Sequence, residues 1–168
     1  MTLRTILRFP DHRLRVSAER LVAFNEDLRS LAADLLETLR AASAIGITAP
    51  HIGVLKRLAV VEVTAADGVR TYVNPQIVWA SAEMIRHKEG SVSMPGMIEE
   101  IERHARVRVS YQDLAGAGKV EEADGLLSVC LQHEIDQLDG IFWIDRLSRL
   151  KRDRAIKRFE KTQRIGAR

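Results

Sequence analysis

Residues 124–140, DGLLSVCLQHEIDQLDG, constrain this chain more than any other stretch. Apolar residues at helical spacing run from Asp124, which predicts an N-cap, to Asp139-Gly140, which predicts a stop. Leu126, Cys130, His133 and Gln137 fall at i, i+4, i+7 and i+11, on one face of that helix. His133-Glu134-x-x-Gln137 has the spacing of H-E-x-x-H, in which two imidazoles one turn apart reach one metal and the glutamate acts as base on metal-bound water. Gln137 offers a carboxamide where that pattern needs its second imidazole, and an amide is a poor ligand for a transition metal. The frame of a metal-hydrolase helix is present with one ligand exchanged.

The rest of the chain must bury this helix. At 168 residues, 46% hydrophobic and 29% charged, it predicts one domain with its own core. Its single cysteine, Cys130, excludes an intrachain disulfide. No apolar run approaches the roughly 18 residues of a membrane span, and Phe9-Pro10-Asp11 interrupts the N-terminus before a signal-type core can form. A cytoplasmic location is expected, as is a monomer. The formal charge of +3 is unevenly spread: Arg149 to Arg168 holds nine basic residues against Asp153 and Glu160, leaving the remainder net acidic. A basic tail on an acidic body suits either contact with a polyanion or a solvated terminal helix.

Asn25, followed by Glu26 and Asp27, predicts a capped helix over 26–42, with Leu28, Leu31, Leu35 and Leu39 facing inward. Residues 44–54, AIGITAPHIGV, read as extended, with Gly46, Pro50 and Gly53 allowing backbone to pass close to a ligand. His51 is the titratable group there, and a loop histidine is more often exposed or structurally bonded than catalytic. Leu58–Val63 predicts a strand, as does Arg70–Trp79, where Asn74-Pro75 argues for an edge or a bend. Residues 80–90 read as polar, and 89–96 as an extended stretch ending in a turn. Arg106–Tyr111 alternates cleanly and pairs with a short strand at Lys119–Glu122. A terminal basic helix starts near Leu147, with Ile156 and Phe159 inward. The class is α+β, with antiparallel sheets around the HExxQ helix.

Three stretches in this order resemble peptide deformylase: AIGITAPHIG (44–53), EGSVSMP (89–95) and LQHEIDQLDG (131–140). The likeness extends to the FPDHRLR start, the YVNP strand and the LSRLK start of the tail, over essentially the whole chain. It implies a bacterial enzyme of protein biosynthesis that removes the formyl group from N-terminal formyl-methionine of nascent chains. It also implies a divalent metal (Fe2+, Zn2+ or Ni2+) held by one cysteine and two histidines. Carried over by motif, Ser91 stands at the cysteine, His133 at the first histidine and Gln137 at the second. Glu134 matches the general acid/base. His51 replaces the glutamine that, with the Val92 N–H, supports the oxyanion, and Glu89 with Arg103 matches a supporting ion pair. The resemblance puts Ile45, Gly46, Leu126, Val129 and Cys130 around the methionine side chain. MIEEIE (97–102) replaces an arginine expected beside the substrate peptide.

Several functions are compatible with these exchanges. A neutral hydroxyl and an amide bind borderline metals poorly, so standard deformylation is expected to be weak or lost, with any metal weakly bound. His51, His133 and Glu134 could form a rebuilt metal centre, or Ser91 could act as nucleophile with His133 or His51 as base. Alternatively the chain is a non-catalytic paralogue that binds peptide N-termini or docks on ribosomes through Arg149–Arg168, as the resemblance to members with a ribosome-bound C-terminal helix implies.

Overall fold

The computed structural model describes residues 2–167. Helix α1 spans Glu26–Ala41, and the Asn25 side chain accepts the Leu28 N–H at 3.2 Å, as its cap position requires. Its leucine stripe keeps the expected phase: Leu28, Leu35 and Leu39 are buried with Ile47, Leu58, Val60 and Val73 in one core cluster. Strands β1 (Gly46–Thr48), β2 (Leu58–Val61), β3 (Arg70–Ala80), β6 (Arg106–Gln112) and β7 (Gly118–Asp124) make one antiparallel sheet in the order β1-β2-β3-β6-β7. The extended reading of 44–54 holds only for β1, because Ala49–Ile52 winds into a 3-10 turn closed by Gly53 at φ 80°.

Strand β3 decides between an edge and a bend. Asn74-Pro75 does not lie at an edge: β3 is the middle strand, and the proline sits in a register shift between Val73 and Gln76, the bend that the sequence allowed. A bulge needs no ladder hydrogen there, so the missing N–H costs nothing. Asn74 takes φ 53° and holds the bulge with its own amide, which accepts from Leu21 N–H and donates to Leu21 O and Gln112 Oε1, each at 2.8 Å.

A second correction concerns residues 80–104. Strands β4 (Met84–Glu89) and β5 (Glu99–His104) form a separate hairpin, paired from Met84↔His104 to Glu89↔Glu99. The segment read as merely polar because only alternate residues of β5, Ile101 and Arg103, turn into the protein, and one of the two is charged. The hairpin carries Glu89 and the 90–98 loop to the central helix.

That helix, α2, spans Gly125–Leu138 and is buried along most of its length. Asp124 occupies the N-cap position, but its side chain makes no capping bond, contrary to expectation. Cys130, Leu131, Ile135 and Leu138 pack on Ala59, Tyr72, Val107 and Val109 of the sheet, where each fully buried large side chain contributes roughly 1.5–3 kcal/mol. Beyond it, Phe142, Trp143 and Ile144 join Leu14, Met94 and Ile101 in a third cluster. Helix α3 (Arg149–Gly166) starts after a Ser148 cap and roots in that cluster through Ala155 and Phe159, with Ile156 packed against it. Among the described residues no helix is long and apolar enough to cross a membrane.

Candidate functional site

The three stretches of the sequence that carry chemistry converge on one cavity of about 550 Å³. Strand β1 and its 3-10 turn supply Ile45, Gly46 and His51; the hairpin loop supplies Glu89, Ser91 and Val92; α2 supplies Leu126, Val129, Cys130, His133 and Glu134. Glycine at 46 lets the strand pass close to α2: a Cβ there would press on Glu134 Oε1 and lie 2.8 Å from Cys130 Sγ, so these buried side chains would have to shift.

His133 is held by a buried ionic chain. Its Nδ1 bonds Glu89 Oε1 at 2.8 Å, and Arg103 grips both oxygens of Glu89 at 2.8 and 2.9 Å. The third arm of Arg103 reaches Asp136 at 2.6 Å, and Arg146 closes on both oxygens of Asp136. Burial alone would raise the Glu89 carboxyl, but the bonds from Arg103 and His133 outweigh it and hold the group down to about 2. Glu89 is therefore an acceptor only, so the His133 Nδ1 carries a hydrogen and donates it. Burial opposes charge on His133, yet the bond to Glu89 and the nearby Glu134 raise its pKa above the usual histidine range. Taking away Arg103 would leave buried Glu89 with the His133 bond alone and Asp136 with Arg146 alone, a loss of roughly 3–5 kcal/mol.

Glu134 has no such support. It is 4% exposed, its Oε2 has no hydrogen-bond partner, and burial pushes it up to about 7. The neighbouring Cys130 thiol is pushed well up, by burial first and then by Glu134 and Glu89, so it stays protonated.

His51 is buried rather than exposed. Its Nδ1 lies 3.0 Å from Thr48 N and 2.9 Å from Thr48 Oγ1, and its Nε2 has no partner. Burial, then the charge of His133, push its pKa down to about 3, so it stays neutral. The role of base to Ser91 gains no geometry: Ser91 Oγ accepts the Ser93 N–H at 3.2 Å, and among the described residues no histidine bonds to it. Among the same residues no group of three or more His, Cys, Asp or Glu is arranged to hold a metal, the His51/His133/Glu134 set included.

Gln137 departs most from its expected place. It shares the helix face of His133, but one turn further on it has passed the cavity. It is 2% exposed and its Nε2 donates to Leu14 O at 2.7 Å. The lining includes Arg8, His87 and Lys88, which sequence reasoning missed, as it missed Thr48, Asp136 and Arg146. Asp136 left one signal: an acid inside an otherwise apolar helix cannot be buried without partners.

A cavity floored by a His-Glu helix, with the histidine braced by a buried carboxylate and the glutamate left protonatable, is of the amide-hydrolase type. The model of the polypeptide deformylase family matches residues 3–153. A Brucella melitensis protein described as peptide deformylase-like is 63% identical over 164 residues, covering 98% of this chain and all of that one. A peptide deformylase of Methylocella silvestris is 44% identical, covering 99% of this chain and 88% of its own. The crystal structure of a peptide deformylase from Legionella pneumophila superposes with a TM-score of 0.92 at 37% identity, covering 99% of both chains. The chain belongs to the peptide deformylase family.

Proposed function

We propose that this member of the family has lost metal-dependent deformylation and keeps its cavity as a receptor for peptide N-termini that carry an apolar first side chain. The observation that carries the proposal is Gln137, whose Nε2 donates to Leu14 O and which therefore offers at most a neutral carboxamide oxygen where the family's ion needs an imidazole. With Ser91 contributing only a neutral hydroxyl, His133 is left as the single strong ligand of the family's divalent ion, and one imidazole does not hold a catalytic metal. The residues therefore do not fit that ion. Without it, water keeps a pKa of about 15.7 instead of about 7, and Glu134 has no activated nucleophile to serve. Binding survives this loss, because Ile45, Leu126 and Val129 still line a space of ligand size.

The exposed basic side chains of α3, Arg154, Lys157, Lys161 and Arg164 among them, support a contact with ribosomal RNA that would bring the receptor to nascent chains. The test is a formyl-Met-Ala-Ser peptide measured in parallel by calorimetry and by release of formate. Saturable binding with kcat/KM far below the roughly 10⁴ M⁻¹s⁻¹ of slow enzymes is expected. Turnover above that level overturns the proposal.

A further inference from the structure

The mouth of the cavity carries the opposite charge to the one the sequence put near it. MIEEIE (97–102) places three acids where an arginine is expected beside a bound peptide, yet none of the three lines the cavity. Glu99 pairs with Arg158 of α3, while Glu100 and Glu102 line a separate pocket with Arg146 and Lys151.

The exposed charges on the cavity wall are cations instead. Arg8 and Lys88 are both exposed and both line it, and among the described residues neither forms an ion pair. The acids close to them are committed elsewhere. Asp11, whose N–H bonds the Arg8 carbonyl, is held by Arg13 at 2.7 Å. Glu100, opposite Lys88 in the hairpin register, lies 3.8 Å from Arg86. Only Glu89 and Glu134 bring carboxyl groups to the lining, and both are buried. Glu89 is spent on Arg103 and His133, and Glu134 pairs with neither wall cation. Other exposed arginines, such as Arg15, Arg40 and Arg108, each hold a carboxylate. Two cations left without one on the same concave wall, where low-dielectric surroundings focus the field, draw an anionic group to the opening.

We infer that Arg8 and Lys88 form a carboxylate subsite at the cavity mouth, so that the protein takes apolar-first peptides bearing an acidic group just beyond the first residue. The inference rests on the receptor proposed above and adds the class of peptide it receives. The carboxylate can come from an acidic side chain or from the end of a short peptide.

The test is calorimetry of the full-length protein with two pairs of peptides. Formyl-Met-Asp-Ser-amide and formyl-Met-Asn-Ser-amide differ in charge and hardly in shape; formyl-Met-Ala-Ser as free acid and as amide differ only at the chain end. An exposed ion pair multiplies affinity by roughly 1.5 to 5, so two predict roughly 2- to 25-fold tighter binding of the acidic member. The advantage should shrink with added salt. It should vanish in Arg8→Gln/Lys88→Gln and persist in Arg20→Gln/Arg106→Gln, which removes the same charge away from the cavity. All four side chains are exposed and carry no ion pair among the described residues, so both variants should fold. A preference within the first pair assigns the subsite to a side-chain carboxylate, and one within the second pair alone assigns it to a chain end; either supports the inference. Equal affinities within both pairs, or a preference that survives Arg8→Gln/Lys88→Gln, overturn it. Formate release would strike the proposed function alone, because the same ratio is then read in kcat/KM and decides the subsite there. Absence of binding to every peptide overturns both.

Discussion

The Glu134 carboxyl gives a prediction whose magnitude follows from its surroundings. Burial carries it from an ordinary 4.5 to about 7, with no cation bonded to it. A carboxyl whose folded pKa is raised contributes stability below its unfolded pKa and loses that contribution as pH rises through its folded value. Here the loss runs from about pH 4.5 to 7. At ~1.4 kcal/mol per pH unit, it reaches about 3 kcal/mol by pH 8. Glu134→Gln keeps the size of the side chain and stays neutral at every pH. Relative to wild type it should therefore gain about 2–3 kcal/mol of stability between pH 5 and pH 8, read by urea unfolding at both pH values. Any pH-independent cost of the amide drops out of the difference. A divalent ion on His133 would hold Glu134 ionised and remove the effect. A flat or inverted difference would refute the reasoning about this carboxyl.

Gly46→Ala should destabilise the fold by roughly 1–3 kcal/mol through overpacking, since its Cβ meets Glu134 Oε1 and Cys130 Sγ. It should also weaken formyl-peptide binding in the calorimetric assay, and unchanged binding would contradict the close approach. Neutralising Arg154, Lys157, Lys161 and Arg164 should weaken ribosome co-sedimentation and reduce its salt slope by close to one for each phosphate no longer neutralised. Unchanged sedimentation would argue against the RNA contact. Truncation after Leu147 is the wrong variant for that assay, because it strips Ala155 and Phe159 from the core.

The helices were legible in the sequence for simple reasons. Asn25 and the leucine stripe of α1, and the apolar run around His133 in α2, combine a local cap or stop with a 3.6-residue period, and both signals survive in the structure. The β4–β5 hairpin was not legible, because its inward face carries Arg103, and a buried arginine reads as polar until Glu89 and Asp136 are seen around it. Asn74-Pro75 left edge and bend undecided because proline argues against a central strand unless a bulge absorbs it, and the side-chain bonds that hold the bulge span 38 and 53 residues. At the site, spacing placed Gln137 on the face of His133 but could not show where that face leaves the cavity. The acceptor that claims its amide, Leu14 O, lies 123 residues away in the chain. Thr48 escaped for a different reason: its grip on His51 uses the backbone N–H, which every residue but proline offers, so no residue type marks it.

The most direct measurement is the metal content of protein purified anaerobically from its native source and analysed by mass spectrometry of the elements against protein concentration. A cavity left with His133 as its one strong ligand predicts iron, zinc and nickel each far below one per chain. Near-stoichiometric metal, bound at His133 and released together with formyl-peptide turnover on chelation, would contradict it.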